Sequence, residues 1–320
     1  MVGNYAYVAD GDSGLAIIDI TDKSNPGTPV YVDTGGANDV TVVGNYAYVA
    51  EAGSSPGLAI IDISDKANPG TPVYEDTSNW AVGVTVVGNY AYVVTMESGL
   101  AIIDISDPTN PGTPVYEDTT GTAYDVTVVG NYAYVADGDS GLAIIDISNK
   151  ANPGTPVYKD LSKSASGVTV VGNYAYVADF ESGLAIIDIT DKSNLGTPVY
   201  VDTQWYARDV TVVGNYAYVA DSSSGLAIIP LNMSSLTYTI ASLPTSGKLK
   251  DGGTEIIAAG DISGALTYLP NANFTGNDTF KFTAKDDEST PAVSNQATVT
   301  INVGNLNDAP VATAQSVTVD

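Results

Sequence analysis

The chain has 320 residues, with 37 acidic against 11 basic side chains, a formal net charge of −26, and neither cysteine nor histidine. So anionic a surface repels nucleic acid and anionic membranes. The missing residue types exclude disulfides, Ser-His-Asp and Cys-His catalytic sets and the usual zinc ligand sets, and no apolar run reaches the roughly 20 residues that span a bilayer.

From residue 2 to 231 the chain repeats one pattern six times, Gly-Asn-Tyr-Ala-Tyr-Val followed by Gly-Leu-Ala-Ile-Ile. The Gly-Asn pairs open at residues 3, 44, 88, 130, 172 and 214, so the spacings are 41, 44, 42, 42 and 42. A fixed period of this size defines a repeat architecture. Within one period the apolar runs are short, rich in Val, Ile and Tyr, and cut by Gly, Pro, Asn and Asp, which is strand chemistry with turn punctuation and no helical spacing. The second period predicts strands at 39–43, 46–50, 58–63 and 72–76. Gly44-Asn45 is a two-residue hairpin turn, and Asn68-Pro69-Gly70 turns the last pair. Small four-stranded sheets in series predict a β-propeller. Sheets covered on both faces explain the unbroken apolar run Ala59-Ile60-Ile61. Of the 21 tyrosines, 17 recur at three repeat positions and are expected to pack between sheets. The first repeat opens inside itself at Met1-Val2-Gly3-Asn4, without an innermost strand, and the sixth ends in Pro230-Leu231-Asn232, without an outer strand.

Where the repeats disagree, they disagree on one face. The links from each outer strand to the next inner strand read Gly35-Gly36-Ala37-Asn38, Ser78-Asn79-Trp80-Ala81, Gly121-Thr122-Ala123-Tyr124, 162–166, and Gln204-Trp205-Tyr206-Ala207-Arg208. Loops on a rigid scaffold carry binding residues, so Trp80, Tyr124, Trp205, Tyr206 and Arg208, the sole arginine, are the candidate ligand surface; unconstrained drift of solvent loops is the alternative. Acids cluster on the same face. Asp10-Gly11-Asp12-Ser13-Gly14, its copy carrying Asp137 and Asp139, and Asp179-Phe180-Glu181 resemble the opening of a calcium loop, two carboxylates and a carbonyl aimed at one hard cation; a plain Asp-Gly turn is the alternative. Asp39, Asp125 and Asp209 open alternate inner strands, with Gly83 and Gly167 opening the others, so they form an axial cation site or a solvated acidic rim.

Tyr-Val-Ala-Asp (7–10), Gly-Leu-Ala-Ile-Ile-Asp-Ile (14–20) and Asp-Lys-Ser-Asn-Pro (22–26) resemble the LVIVD repeat of bacterial propeller proteins. The resemblance implies a propeller and an extracytoplasmic setting, and no particular reaction.

Residues 236–304 predict six further strands, at 236–242, 247–250, 255–259, 265–269, 278–285 and 295–303, alternating in Thr279-Phe280-Lys281-Phe282 and spaced as in a β-sandwich. Asn273-Phe274-Thr275-Gly276-Asn277-Asp278, Ala284-Lys285-Asp286 and Asn307-Asp308-Ala309-Pro310 resemble bacterial cadherin-like and tandem Ig-like modules. That resemblance implies calcium ligands at Asp286, Asn307 and Asp308. Residues 311–320 read as the first strand of another copy, cut short. The expected organisation is all-β: a propeller over 1–231, a sandwich over 232–310, and part of a longer multidomain polypeptide. The expected function is a non-enzymatic, calcium-stabilised adhesion protein, secreted or at a cell surface, which holds a protein or glycan on the variable face. A carbohydrate-binding propeller is the second reading and a glycosidase working through paired carboxylates the third.

Overall fold

Glycine in each Gly-Asn pair adopts the left-handed conformation, +60° at Gly44, Gly88 and Gly130, which only a residue without Cβ takes freely. It closes the tight hairpin that sets register, so that Val43 faces Tyr46 and Val40 faces Val49 in the second sheet. The computed structural model describes residues 1–53, 57–231, 237–251, 253–262, 266–285 and 293–304. It divides into two compact units, Met1–Leu231 and Asn232–Asp320.

The first unit holds six antiparallel sheets in chain order. Sheet 2 runs Ala37–Val43, Tyr46–Glu51, Gly57–Asp62, Val73–Asp76, and sheets 3, 4 and 5 repeat its four-stranded meander. Sheet 1 has three strands (Tyr5–Ala9, Leu15–Asp19, Val30–Val32), and so has sheet 6 (Asp209–Val213, Tyr216–Ala220, Leu226–Pro230). Inner strands of successive sheets are neighbours. A short 3-10 turn at Ser222–Ser224 is the one departure from the helix-free expectation among the described residues.

Packing between sheets is repetitive because the sequence is. Tyr48, Ala50, Leu58 and Ile60 on one face of sheet 2 bury against Val84, Ala91, Val93, Ala101 and Ile103 of sheet 3. The same positions join sheets 3 and 4 and sheets 4 and 5. At roughly 25 cal/mol per Å² of apolar area these junctions are the main stabilising term. Tyrosine packing is narrower than the sequence predicts. Only the second tyrosine of the motif, at Tyr48, Tyr92, Tyr134 and Tyr176, is buried. The first lies nearer the surface, where Lys66, Lys150 and Lys192 sit 5.2–5.5 Å from the rings of Tyr5, Tyr90 and Tyr132.

Among its described residues the second unit has a four-stranded and a three-stranded antiparallel sheet sharing a small core of Ile240, Leu249, Tyr268, Phe280 and Ile301. The predicted strand 255–259 is two short strands instead, Thr254–Glu255 and Gly260–Ile262, with Ile257 exposed between them. Asp278 anchors this unit. It is buried and accepts hydrogen bonds from Tyr268 Oη (2.8 Å), the Ser246 N–H (2.8 Å) and the Thr245 N–H (3.0 Å). Burial works to raise its pKa, but these donors outweigh it and hold Asp278 low, while Tyr268 is pushed up to about 12. Tyr268→Phe should therefore cost this unit about 1–3 kcal/mol in thermal unfolding, the cost of removing a donor from a buried charge. Asp286, Asn307, Asp308 and the segment 311–320 lie outside the described residues.

Candidate functional site

The links that the repeats vary do share a face. Three of the five outer-to-inner links touch a link between second and third strands through a backbone bridge: Gly11 with Ala37, Gly138 with Ala165 and Phe180 with Ala207. Acids after the second strands fasten the link that precedes their own sheet. Asp137 is fully buried; its Oδ1 accepts from Thr119 Oγ1 (2.7 Å) and its Oδ2 from the Gly121 N–H (2.8 Å). Asp179 accepts the Lys163 N–H, Asp221 accepts Thr203 Oγ1 and the Trp205 N–H, and Glu51 accepts Thr34 Oγ1. Burial raises Asp137, and it pushes Asp179 up to about 6 against the Lys163 hydrogen bond. The carboxylates read as calcium ligands thus have another employment: Asp137 and Asp179 clamp links, and Glu181 pairs with Lys163 at 3.2 Å. Asp10, Asp12 and Asp139 stay exposed. Among the described residues no three acids are grouped to hold a metal.

The inner-strand acids are latches too. Asp39 Oδ2 accepts the Val84 N–H of the next sheet (2.8 Å), and Asp125 Oδ2 accepts the Val168 N–H (2.8 Å). From the same strands Thr41 donates to the Val84 carbonyl (2.9 Å) and Thr127 to the Val168 carbonyl (3.0 Å). Asp39, Asp125 and Asp209 also feel one another's charge across the axis. Burial first, and then these neighbours, push Asp125 up to about 7.

An aromatic cluster and an open groove mark the variable face. In the first, Tyr206 stacks on Phe180 (4.4 Å between centroids, 9° between planes), Trp205 tilts against Tyr206, and Arg208 lies 4.7 Å over the Phe180 ring. Phe180 stands where sheets 1 and 4 have Gly11 and Gly138, and its φ of +45° is unusual for an aromatic residue. The stack occupies the rings of Tyr206 and Phe180 and the Arg208 cation with each other. Tyr124, by itself, covers Gly138.

The groove lies around Trp80. Trp80 is 55% exposed and lines a cavity of about 370 Å³ with Ser78, Asn79, Met96 and Glu97. A second cavity of about 380 Å³ shares Ser78 and Glu97 and adds Ser98, Tyr116 and Asp118. Two departures of the third sheet accompany this groove. Thr95 replaces the clamping acid, leaving Thr77 Oγ1 to donate to the Asn79 carbonyl of its own link (2.9 Å). In sheets 4 and 5 an outer-strand tyrosine hydroxyl holds the link, Tyr158 on the Thr120 N–H and Tyr200 on the Ser162 N–H, both at 2.9 Å. At the third sheet only Ser78 Oγ meets Tyr116 Oη, at 3.5 Å. Asn79 Nδ2 then reaches across to Glu97 (2.7 Å). Of this groove the sequence singles out Trp80 as a ligand residue, within the variable link Ser78-Asn79-Trp80-Ala81, and Glu97 only as a weak acidic turn; Thr95 in a place where every other repeat has an acid was the signal for the rest.

Serial four-stranded meanders with neighbouring inner strands define a β-propeller type of repeat protein. A family model described as the LVIVD repeat matches residues 1–34, 34–72, 80–114, 120–155, 162–203 and 205–238, and the chain belongs to that family. Among solved structures it is similar to the computationally designed Ika8 protein (TM-score 0.57, 9% identity, covering 93% of this chain and 85% of that one). It is also similar to the Myceliophteria thermophila Cps50 (Swd1) β-propeller domain (0.55, 13%, 72% and 81%) and to BamB from Moraxella catarrhalis (0.52, 16%, 73% and 69%). Identities this low bear on fold alone. No curated protein matches the chain.

Proposed function

We propose that the chain is a non-enzymatic, adhesion-type interaction protein of a cell surface that holds its ligand in the Trp80 groove. The carrying observation is an exposed indole in a groove lined, besides Met96, by the hydrogen-bonding groups of Ser78, Asn79 and Glu97, with Tyr116 and Asp118 in the adjoining cavity. An apolar ring face beside convergent polar groups suits a hydroxyl-rich ligand, so a surface glycan is the favoured ligand class. Glu97 and Asp118 sit in an open groove that does not exclude water, which argues against their acting as a glycosidase pair. In this reading the second unit is a cadherin-like spacer, a reading supported by its sequence resemblance and its two-sheet core. In this reading Asp137 and Asp179 serve the links rather than a cation, since their carboxylates accept hydrogen bonds from Thr119, Gly121 and Lys163.

Trp80→Ala should abolish glycan-array binding while moving the unfolding free energy by less than about 0.5 kcal/mol, as for exposed loop residues. Trp205→Ala should leave binding intact. Equal binding by Trp80→Ala and the unaltered protein, or turnover of the bound glycan, would refute the proposal.

A further inference from the structure

Elsewhere in the propeller the chain sets its own cations over aromatic rings: Lys66, Lys150 and Lys192 over Tyr5, Tyr90 and Tyr132, and Arg208 over Phe180. The Trp80 groove has no such cation. Its two cavities, which share Ser78 and Glu97, are lined by an exposed indole, a phenol, two carboxylates and, among the described residues, no base. Nor does a neighbouring link lend one. The links of this face carry only Lys163 and Arg208 as bases, and both are committed: Lys163 pairs with Glu181 at 3.2 Å, and Arg208 covers Phe180 at 4.7 Å. The groove acids therefore lack counter-charge. Glu97 accepts from Asn79 Nδ2, a neutral donor (2.7 Å), and no hydrogen bond or ion pair engages Asp118 among the described residues. The Asp118 charge reaches its neighbours: next to burial, it is what pushes the carboxyls of Glu117 and Asp137 up.

We propose that the groove selects a glycan with free amino groups, a glucosamine-type sugar whose ammonium meets Glu97 and Asp118 while a sugar ring covers the Trp80 indole. This rests on the groove being the glycan site and adds the charge its ligand carries. The indole serves both parts of such a ligand, since its face takes apolar C–H surface and its quadrupole attracts a nearby cation. The cavities adjoin, so linked rings place one ring on Trp80 and the ammonium of the next at the carboxylates. An N-acetylated or neutral sugar leaves both acids without counter-charge, and a uronic or sulfated sugar is repelled. A lysine-rich peptide would also answer the acids, but it would leave Ser78, Asn79 and Tyr116 without hydroxyl partners. The preference is moderate because the groove is open. One ion pair this exposed is worth a few-fold at most, and two of them with a cation near the indole come to about tenfold.

The full chain is titrated, in mildly acidic buffer where the amines carry protons, with a linear glucosamine tetramer, its fully N-acetylated counterpart and tetralysine. The free-amine tetramer should bind about tenfold more tightly than the acetylated one, and added sodium chloride should shrink the difference. A chain this anionic draws any oligocation, so the deciding variant is Glu97→Gln with Asp118→Asn, which removes two of 37 acids. Both side chains are exposed, so this variant keeps its fold, and its affinities for the two tetramers should become level. A preference that survives in the double variant would belong to the overall charge and overturn the proposal. Equal binding of both tetramers by the unaltered chain would overturn it too, leaving the groove a glycan site without charge selection. Tetralysine bound as tightly as the glucosamine tetramer, and lost in Trp80→Ala, would overturn it in favour of a basic peptide. Binding of neither tetramer would overturn it as well, and silence on the glycan array would then take the glycan reading with it.

Discussion

Acidification from about pH 8 to about pH 5 should stabilise the propeller, the reverse of ordinary acid denaturation. Asp125 sits at about 7 in the folded chain against an ordinary 3.8. A carboxylate raised by folding binds more protons in the native state between those values, so stability falls as pH climbs from about 4 to about 7 and the whole penalty is present above it. Three pKa units set the upper bound for Asp125 at about 4 kcal/mol, less where axial water screens it. Asp179, at about 6, and Asp39, Asp137 and Asp209, all raised mainly by burial, act in the same direction. The surface turns oppose them only in stronger acid. Asp22, Asp65, Asp107 and Asp191 are lowered by hydrogen bonds within their own turns, so their contribution is lost as pH falls below about 4. Melting temperature against pH should therefore peak near pH 4–5 and decline towards neutrality. Asp125→Asn should remove the largest share of that decline; an unchanged slope would place the titration elsewhere.

One substitution at one repeat position should give opposite outcomes in two sheets. Leu142, fully buried between sheets 4 and 5, should cost about 2–5 kcal/mol as Leu142→Ala, through lost transfer energy and the cavity left behind. Leu226→Ala, at the open face of sheet 6, should cost less than about 0.5 kcal/mol. Denaturant unfolding of the two variants side by side measures the difference. Equal losses would mean that the two end faces bury each other in solution.

Strand order and the hairpin turns were legible because they depend on local signals, a glycine that tolerates positive φ and a run of β-formers. The pairings that use backbone groups of a neighbouring sheet were not. Asp125 reads as a free acid because its partner is the amide of Val168, which carries no side-chain signature. Asp137 and Asp179 read as calcium ligands because an Asp-x-Asp/Glu pattern does not reveal the Gly121 or Lys163 N–H that folds back onto it. In the second unit the apolar run Ile256-Ile257-Ala258 reads as strand, yet the chain bends there and leaves Ile257 in solvent. Trp80 stood out by its rarity, whereas Tyr116 was masked by belonging to a recurrent set.

The alternation of Asp and Gly on the inner strands gives the array a parity. Sheets 2 and 3 are joined by Asp39 and Thr41 to Val84, and sheets 4 and 5 by Asp125 and Thr127 to Val168, so the latched unit is a pair of repeats. Excising or inserting a single repeat would bring two acids, or two glycines, into adjacent places and break the alternation, while excising two leaves every neighbour relation intact. Length variation in such an array is therefore expected in steps of two, and a closed ring that keeps the alternation has an even number of blades.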